Sequence, residues 1–155
     1  MSRSIALLTE DRYGCEFIRR LLSRLNCSHK LGKVERLAGV CNSKSGRQVR
    51  ALYDWHSKII VLVDAHGRDP EKVKEDTLSH MRNLSNKVKV ITLPYSIEEW
   101  VCLGLGLRFS NDPLDSLKRH IDYEKFMLPR LAEKLDIDAL YRSLPFKELI
   151  SEFMR

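Results

Sequence analysis

Lys58-Ile59-Ile60-Val61-Leu62-Val63-Asp64-Ala65-His66-Gly67 is the stretch on which the fold turns. Its consecutive branched apolar residues have no helical period, and they mark a strand buried on both faces, as in a parallel sheet clothed by helices. The run ends in an acid, a histidine and a glycine. Working back toward the N-terminus, Ser4 to Thr9 is a second run of this kind and ends at Glu10-Asp11. Between the two, Tyr13 to Leu25 places Phe17, Ile18, Leu21, Leu22 and Leu25 on one helical stripe, with arginines on the opposite side. Lys33 to Val40 has the pattern of another strand, and the polar turn Asn42-Ser43-Lys44-Ser45-Gly46 then opens a helix through about Tyr53.

Working forward from Gly67, Asp69 is placed to cap a helix that Pro70 begins and that runs to about Leu84. Lys87 to Leu93 is a fourth strand. Strands alternating with helices at this spacing predict an α/β fold, a mostly parallel four-stranded Rossmann-like sheet with helices on both faces. The order of its strands is left open. The last third changes character: a short helix at Ile97 to Leu103, a break at Gly104-Leu105-Gly106, a longer helical region from Leu117 to Leu135 interrupted at Pro129, and a final helix near Phe146 to Met154. Residues 1–103 are thus expected to form the α/β core and 104–155 a helical extension packed on it, within one compact domain. Trp100, Leu103 and Leu107, at helical spacings, are expected to dock that extension.

The chain has 155 residues, 43% hydrophobic and 31% charged, enough for a single core. It holds no apolar run of the roughly 18 residues that span a bilayer, and its start, Met1-Ser2-Arg3-Ser4, lacks a signal-peptide pattern. A cytoplasmic protein without a membrane segment is expected. Cys15, Cys27, Cys41 and Cys102 show no CxxC spacing, so they are expected to be idle or buried thiols rather than a zinc site or disulfide framework. The net charge of +6 is uneven: residues 1–58 carry twelve Lys/Arg against five Asp/Glu. A basic N-terminal half beside acidic strand ends suits a ligand with a phosphate backbone, DNA or RNA.

Glu10 and Asp64 supply the one or two carboxylates with which a protein usually holds magnesium, leaving other positions to water and substrate phosphate. If their strands are neighbours, both carboxylates reach one crevice, where a cation would polarise a phosphoryl oxygen or acidify a water. The structural alternative is capping, with Glu10 or Asp11 at the first helix and Asp64 at its own turn. His66 divides the same way, between metal ligand, proton carrier and loop cap.

A Glu after the first strand and an acid-x-ligand pattern after the third resembles the Toprim domain, whose pattern is Glu and then Asp-x-Asp. Here those positions fall on Glu10, Asp64 and His66. Tyr95-Ser96-Ile97-Glu98-Glu99-Trp100 is similar to a Glu-x-Trp element after the fourth strand in the Toprim-like group related to overcoming-lysogenization-defect nucleases. The resemblance covers about residues 4–103. It implies Mg2+ (or Mn2+) and nucleic-acid strand chemistry, with Glu10 as ligand or general acid/base, Asp64 as principal ligand and Glu98 as a further carboxylate. His66 departs from the pattern by removing a negative charge, which favours manganese or a weaker site. Asp11 also stands where the family has glycine.

Lys44 and Arg47, at the start of a predicted helix, are candidate phosphate contacts, as are Arg12 and Arg68 beside the acidic strand ends. The Lys44-Ser45-Gly46-Arg47 turn is not a Walker A loop, and Gly104-x-Gly106 lacks the context of a dinucleotide site. Tyr13, Tyr95 and Tyr123 are expected to be packing residues, and no base-reading module is present. The expected function is metal-dependent hydrolysis of nucleic acid, in a domain small enough to work as a homo-oligomer or with a protein partner. Two other readings stand beside it. One is a non-catalytic module with a decayed site. The other is a phosphoacceptor receiver, for which Glu10/Asp11, Asp64 and Thr92 fit but a fifth strand ending in lysine is missing.

Overall fold

The computed structural model describes residues 4–39 and 42–154, so the predicted end of the second strand at Val40 and the Cys41 thiol lie outside the described residues. β1 (Ile5–Thr9), α1 (Arg12–Arg24), β2 (Leu31–Arg36), α2 (Ser43–Tyr53), β3 (Lys58–Asp64), α3 (Pro70–Ser79) and β4 (Val88–Leu93) alternate as expected. The strands form one sheet in the order β2-β1-β3-β4, with every neighbouring pair parallel. The chain therefore steps outward from β1 to β2, then returns across β1 to β3 and β4. Right-handed crossovers running in opposite directions put α1 on one face and α2 and α3 on the other.

The side chains follow that division. Alternate residues of a strand point to opposite faces. Leu7, Ile60, Leu62, Ile91 and Leu93 join Phe17, Ile18 and Leu21 of α1, while Ala6, Leu8, Ile59, Val61 and Val90 join Val49 and Leu52 of α2 and Val73 of α3. No crossover helix covers β3 and β4 on the α1 side. A parallel sheet is stable only when both faces are covered, and the C-terminal helices fill this half. α4 (Glu98–Leu105), α5 (Pro113–Ile121), α6 (Leu128–Leu131), α7 (Ile137–Leu140) and α8 (Leu144–Met154) place Trp100, Leu117, Phe146 and Phe153 in the same cluster as α1. Trp100 packs edge-on against Phe146 at 5.4 Å and donates to Ser143 Oγ at 3.0 Å. Leu107 packs against the same cluster, and Leu103 is half-buried. Arg24 donates to the carbonyls of Ala132 and Leu135, so one of the N-terminal arginines ties α1 to the extension rather than facing a ligand.

Several boundaries differ from expectation for local reasons. β2 begins at Leu31, two residues early. α3 ends at Ser79, and residues 80–84 turn so that Met81 and Leu84 enter the core. That turn lies against α2, where a Cβ on Gly46 would stand 2.4 Å from the His80 carbonyl oxygen. The break in the last third falls at Gly106, with φ 73°, while Gly104 remains inside α4 because only a hydrogen there clears the Leu135 side chain. Pro129 sits in the first turn of α6 instead of interrupting a long helix, since the chain already turns at Asp122, with φ 52°. Cys15, Cys27 and Cys102 are buried and unpaired. Among the described residues, no helix is long and apolar enough to cross a membrane.

At the opposite end of the sheet from Asp64, the buried Glu152 carboxylate of α8 binds both Lys58 of β3 and Lys89 of β4. Burial works against its charge, but the two ammonium groups outweigh that and hold Glu152 below the ordinary carboxylate range. Glu152→Gln is expected to cost about 1.5–3 kcal/mol in urea denaturation at neutral pH. The sign follows from the lowered pKa: this stabilisation is present above the unfolded-state value and is lost as pH falls through the folded one, so the difference from wild type should shrink in acid.

Candidate metal centre

Strand order reverses between β1 and β3, which is where an open α/β sheet leaves a crevice beyond its carboxyl ends. Glu10 is the first residue past β1, and Asp64 is the last of β3. The capping duty at α1 falls to Asp11, whose Oδ1 accepts the Gly14 N–H at 2.7 Å. Glu10 is thereby free to reach across to β3, where its Oε2 accepts the Asp64 backbone N–H at 2.8 Å.

The loop after β3 is held by its neighbour. Ala65, His66 and Gly67 donate their N–H groups to the carbonyls of Leu93, Tyr95 and Pro94 at 2.8–2.9 Å. His66 and Gly67 both lie in the left-handed region, with φ 51° and 81°. For a non-glycine residue that conformation costs on the order of 1 kcal/mol and is kept where surrounding structure enforces it, often at functional sites. Here it brings the imidazole to the carboxylates. Glu10, Asp64 and His66 each offer one ligating atom, and these atoms all lie within 4.8 Å of one another. Ligands about 2.0–2.6 Å from a single cation span such distances.

Burial raises the Asp64 carboxyl first, and its hydrogen bond with Glu10 and the charges of Glu10 and Glu98 add to that against the opposing pull of Lys125, taking it from its ordinary 3.8 to about 9. At neutral pH the pair therefore holds a proton in the place where a cation would stand.

The cleft above the pair has a volume of about 460 Å³, and Ser96, Glu98, Asp112 and Lys125 are among its lining. Ser96 Oγ is buried and has no hydrogen-bond partner among the described residues. Glu98 lies outside the three-residue cluster. Only 1% exposed, it accepts from Lys125 and from the Tyr123 hydroxyl. Lys125 also meets Asp11 at 3.0 Å. Burial alone would lower the Lys125 pKa, yet the Glu98 and Asp11 carboxylates raise it, so the cleft contains a fixed positive charge. Burial and the charge of Glu98 push the Tyr123 phenol up.

The basic candidates are dispersed. Arg68 donates to the Ala65 carbonyl at 3.1 Å and closes the His66 turn. Lys44 is exposed at the start of α2, and Arg47 lines a separate groove against residues 79–84; neither lines the acidic cleft. Arg12 opens onto another groove, beside α1. Lys125 carried no signal in the sequence, because long-range packing of the C-terminal helices delivers it. No protein-family model, curated protein or solved structure matches the chain.

Proposed function

We propose that this protein is a Toprim-like, divalent-cation-dependent hydrolase of nucleic-acid phosphodiesters, with Mg2+ or Mn2+ held by Glu10, Asp64 and His66. The observation that carries this reading is the meeting of Glu10 and Asp64 at the sheet's switch point, within one ion's span of His66. The donor set fits such an ion: two hard carboxylates serve magnesium, and the imidazole moves preference toward manganese. Ser96, whose Oγ is buried and unpartnered among the described residues, lines the same cleft. A cation bound there supplies positive charge to a phosphoryl oxygen and an acidified water.

The chain's own groups have separate duties. Glu10 is oriented by the Asp64 N–H, which engages Oε2 and leaves the other oxygen for the cation or for a proton. Glu98 and Asp11 hold Lys125, whose charge tempers repulsion among the acids and favours an incoming phosphate. Tyr123 donates to Glu98 from a buried position, which does not suit a covalent nucleophile and favours water. The buried, unpaired thiols fit a reducing, cytoplasmic setting.

A non-catalytic module with the same fold is the second reading, favoured by histidine at position 66. The phosphoacceptor reading has less support, because among the described residues α4 is followed by another helix, α5, where a receiver has its fifth strand ending in lysine. The test is incubation of labelled single-stranded and duplex oligonucleotides with Mn2+, Mg2+ or EDTA. Cleavage is expected with either metal and should be lost in Glu10→Gln and Asp64→Asn. Equal cleavage by both folded variants would overturn the site, and binding without cleavage under either metal would favour the module.

A further inference from the structure

A second concavity lies just behind the acidic cleft, and it is basic and aromatic. Arg12, Arg19 and Arg20 of α1 form one wall, Arg36 at the end of β2 another, and the turn carrying Phe126 and Arg130 closes it, around about 570 Å³. Among the described residues Glu16 is the one acid in its lining, and it is paired with Arg20 at 3.4 Å. Arg19 is steadied by the Val34 carbonyl. The side chains of Arg12, Arg36 and Arg130 are exposed and have no partner among the described residues.

Two aromatic rings stand at the same place without a packing reason. Phe126 is 55% exposed and Tyr13 43% exposed, and neither belongs to a core cluster. The turn Lys125–Met127 serves both sites: Lys125 enters the acidic cleft, Phe126 lines the arginine groove and Met127 packs on the core. On the other side, Asp11 lines the cleft and its neighbour Arg12 the groove, about 3.8 Å away along the chain. The two concavities thus share a thin wall.

We propose that this groove holds single-stranded nucleic acid and leads it to Glu10 and Asp64, an inference that rests on the function proposed above and names its substrate class. Guanidinium groups neutralise and fork phosphates, while exposed rings stack on bases of any identity. An unpaired strand offers both a phosphate and a splayed base to a concave site without an unpairing cost, whereas a duplex must first unstack and unpair the base.

The experiment is fluorescence anisotropy of fluorescein-labelled dT12, rU12 and a 12-base-pair duplex, in EDTA and at two salt concentrations. One or both single strands should bind more tightly than the duplex, and the tighter identifies DNA or RNA. Phe126→Ala should weaken single-strand binding by about tenfold with an unchanged salt slope. The double variant Arg36→Gln/Arg130→Gln should flatten the slope by about 1.4, for two lost phosphate contacts. These residues are exposed, and unchanged thermal midpoints would certify folding. Absent binding, equal duplex binding or a Phe126→Ala variant that binds as wild type would overturn the groove. Metal is chelated throughout, so those failures leave the cation site untouched. Conversely, a Glu10→Gln variant that still binds Mn2+ as wild type would overturn the cation site while oligonucleotide binding in EDTA stood.

Discussion

Asp64→Asn is expected to abolish metal-dependent cleavage, by roughly 100-fold or more, while making the metal-free protein more stable. Both effects come from one side chain. Asp64 is kept beside Glu10, partly buried, with its carboxyl raised to about 9, so the native state without a cation retains a proton that the unfolded chain releases near pH 3.8. The sign follows from proton counting. Between those values the native state binds more protons than the unfolded one, and stability falls as pH rises through the window. Asparagine keeps the shape and removes the need to take up that proton on folding, so the variant should gain about 1–2 kcal/mol at pH 8, or ~2–4 °C in midpoint per kcal/mol, and little at pH 4. A divalent cation should do the same for wild type alone, since it displaces the proton and binds the native state. Thermal melts at pH 4, 6 and 8, with and without Mn2+, measure both halves. A loss of stability in Asp64→Asn at pH 8, or Mn2+ stabilisation that persists in it, would show that Asp64 is structural.

That coupling explains which parts of the site were legible in the sequence. β3 announced itself because a strand buried on both faces must be apolar at every position, and the polar residues at its end then stand out. Glu10 and Asp64 were visible for that reason. Their adjacency was not, because strand order is decided by pairings across the sheet that leave no local trace. The left-handed conformation at His66 is imposed by hydrogen bonds to the carbonyls of Tyr95 and Pro94, residues distant in sequence. Lys125 is further removed still. It reaches Asp11 and Glu98 only because the uncovered half of the α1 face draws the C-terminal helices onto β3 and β4. The long helix expected from Leu117 to Leu135 failed on the same ground: the chain breaks at Asp122 so that Tyr123 and Lys125 turn inward to Glu98.

His66→Asp should strengthen Mg2+ binding about tenfold and shift metal preference from manganese toward magnesium. The backbone permits the exchange, since aspartate, like histidine and asparagine, is among the residues enriched in the left-handed region that position 66 occupies. The chemistry favours it: a third carboxylate replaces an imidazole within 4.8 Å of the other two ligands, and magnesium selects oxygen donors. The cost falls on the metal-free state. Another negative charge beside a pair that already holds a proton should deepen the loss of stability toward pH 8, and Lys125 is committed to Asp11 and Glu98 and offers limited relief. Isothermal titration with Mg2+ and Mn2+, run with cleavage assays in each metal, separates the possible outcomes. Tighter Mg2+ binding with faster magnesium-dependent cleavage would identify histidine as the feature tuning an otherwise complete hydrolase site. Tighter binding without cleavage would point to the non-catalytic module, and unchanged binding would remove position 66 from the metal's shell.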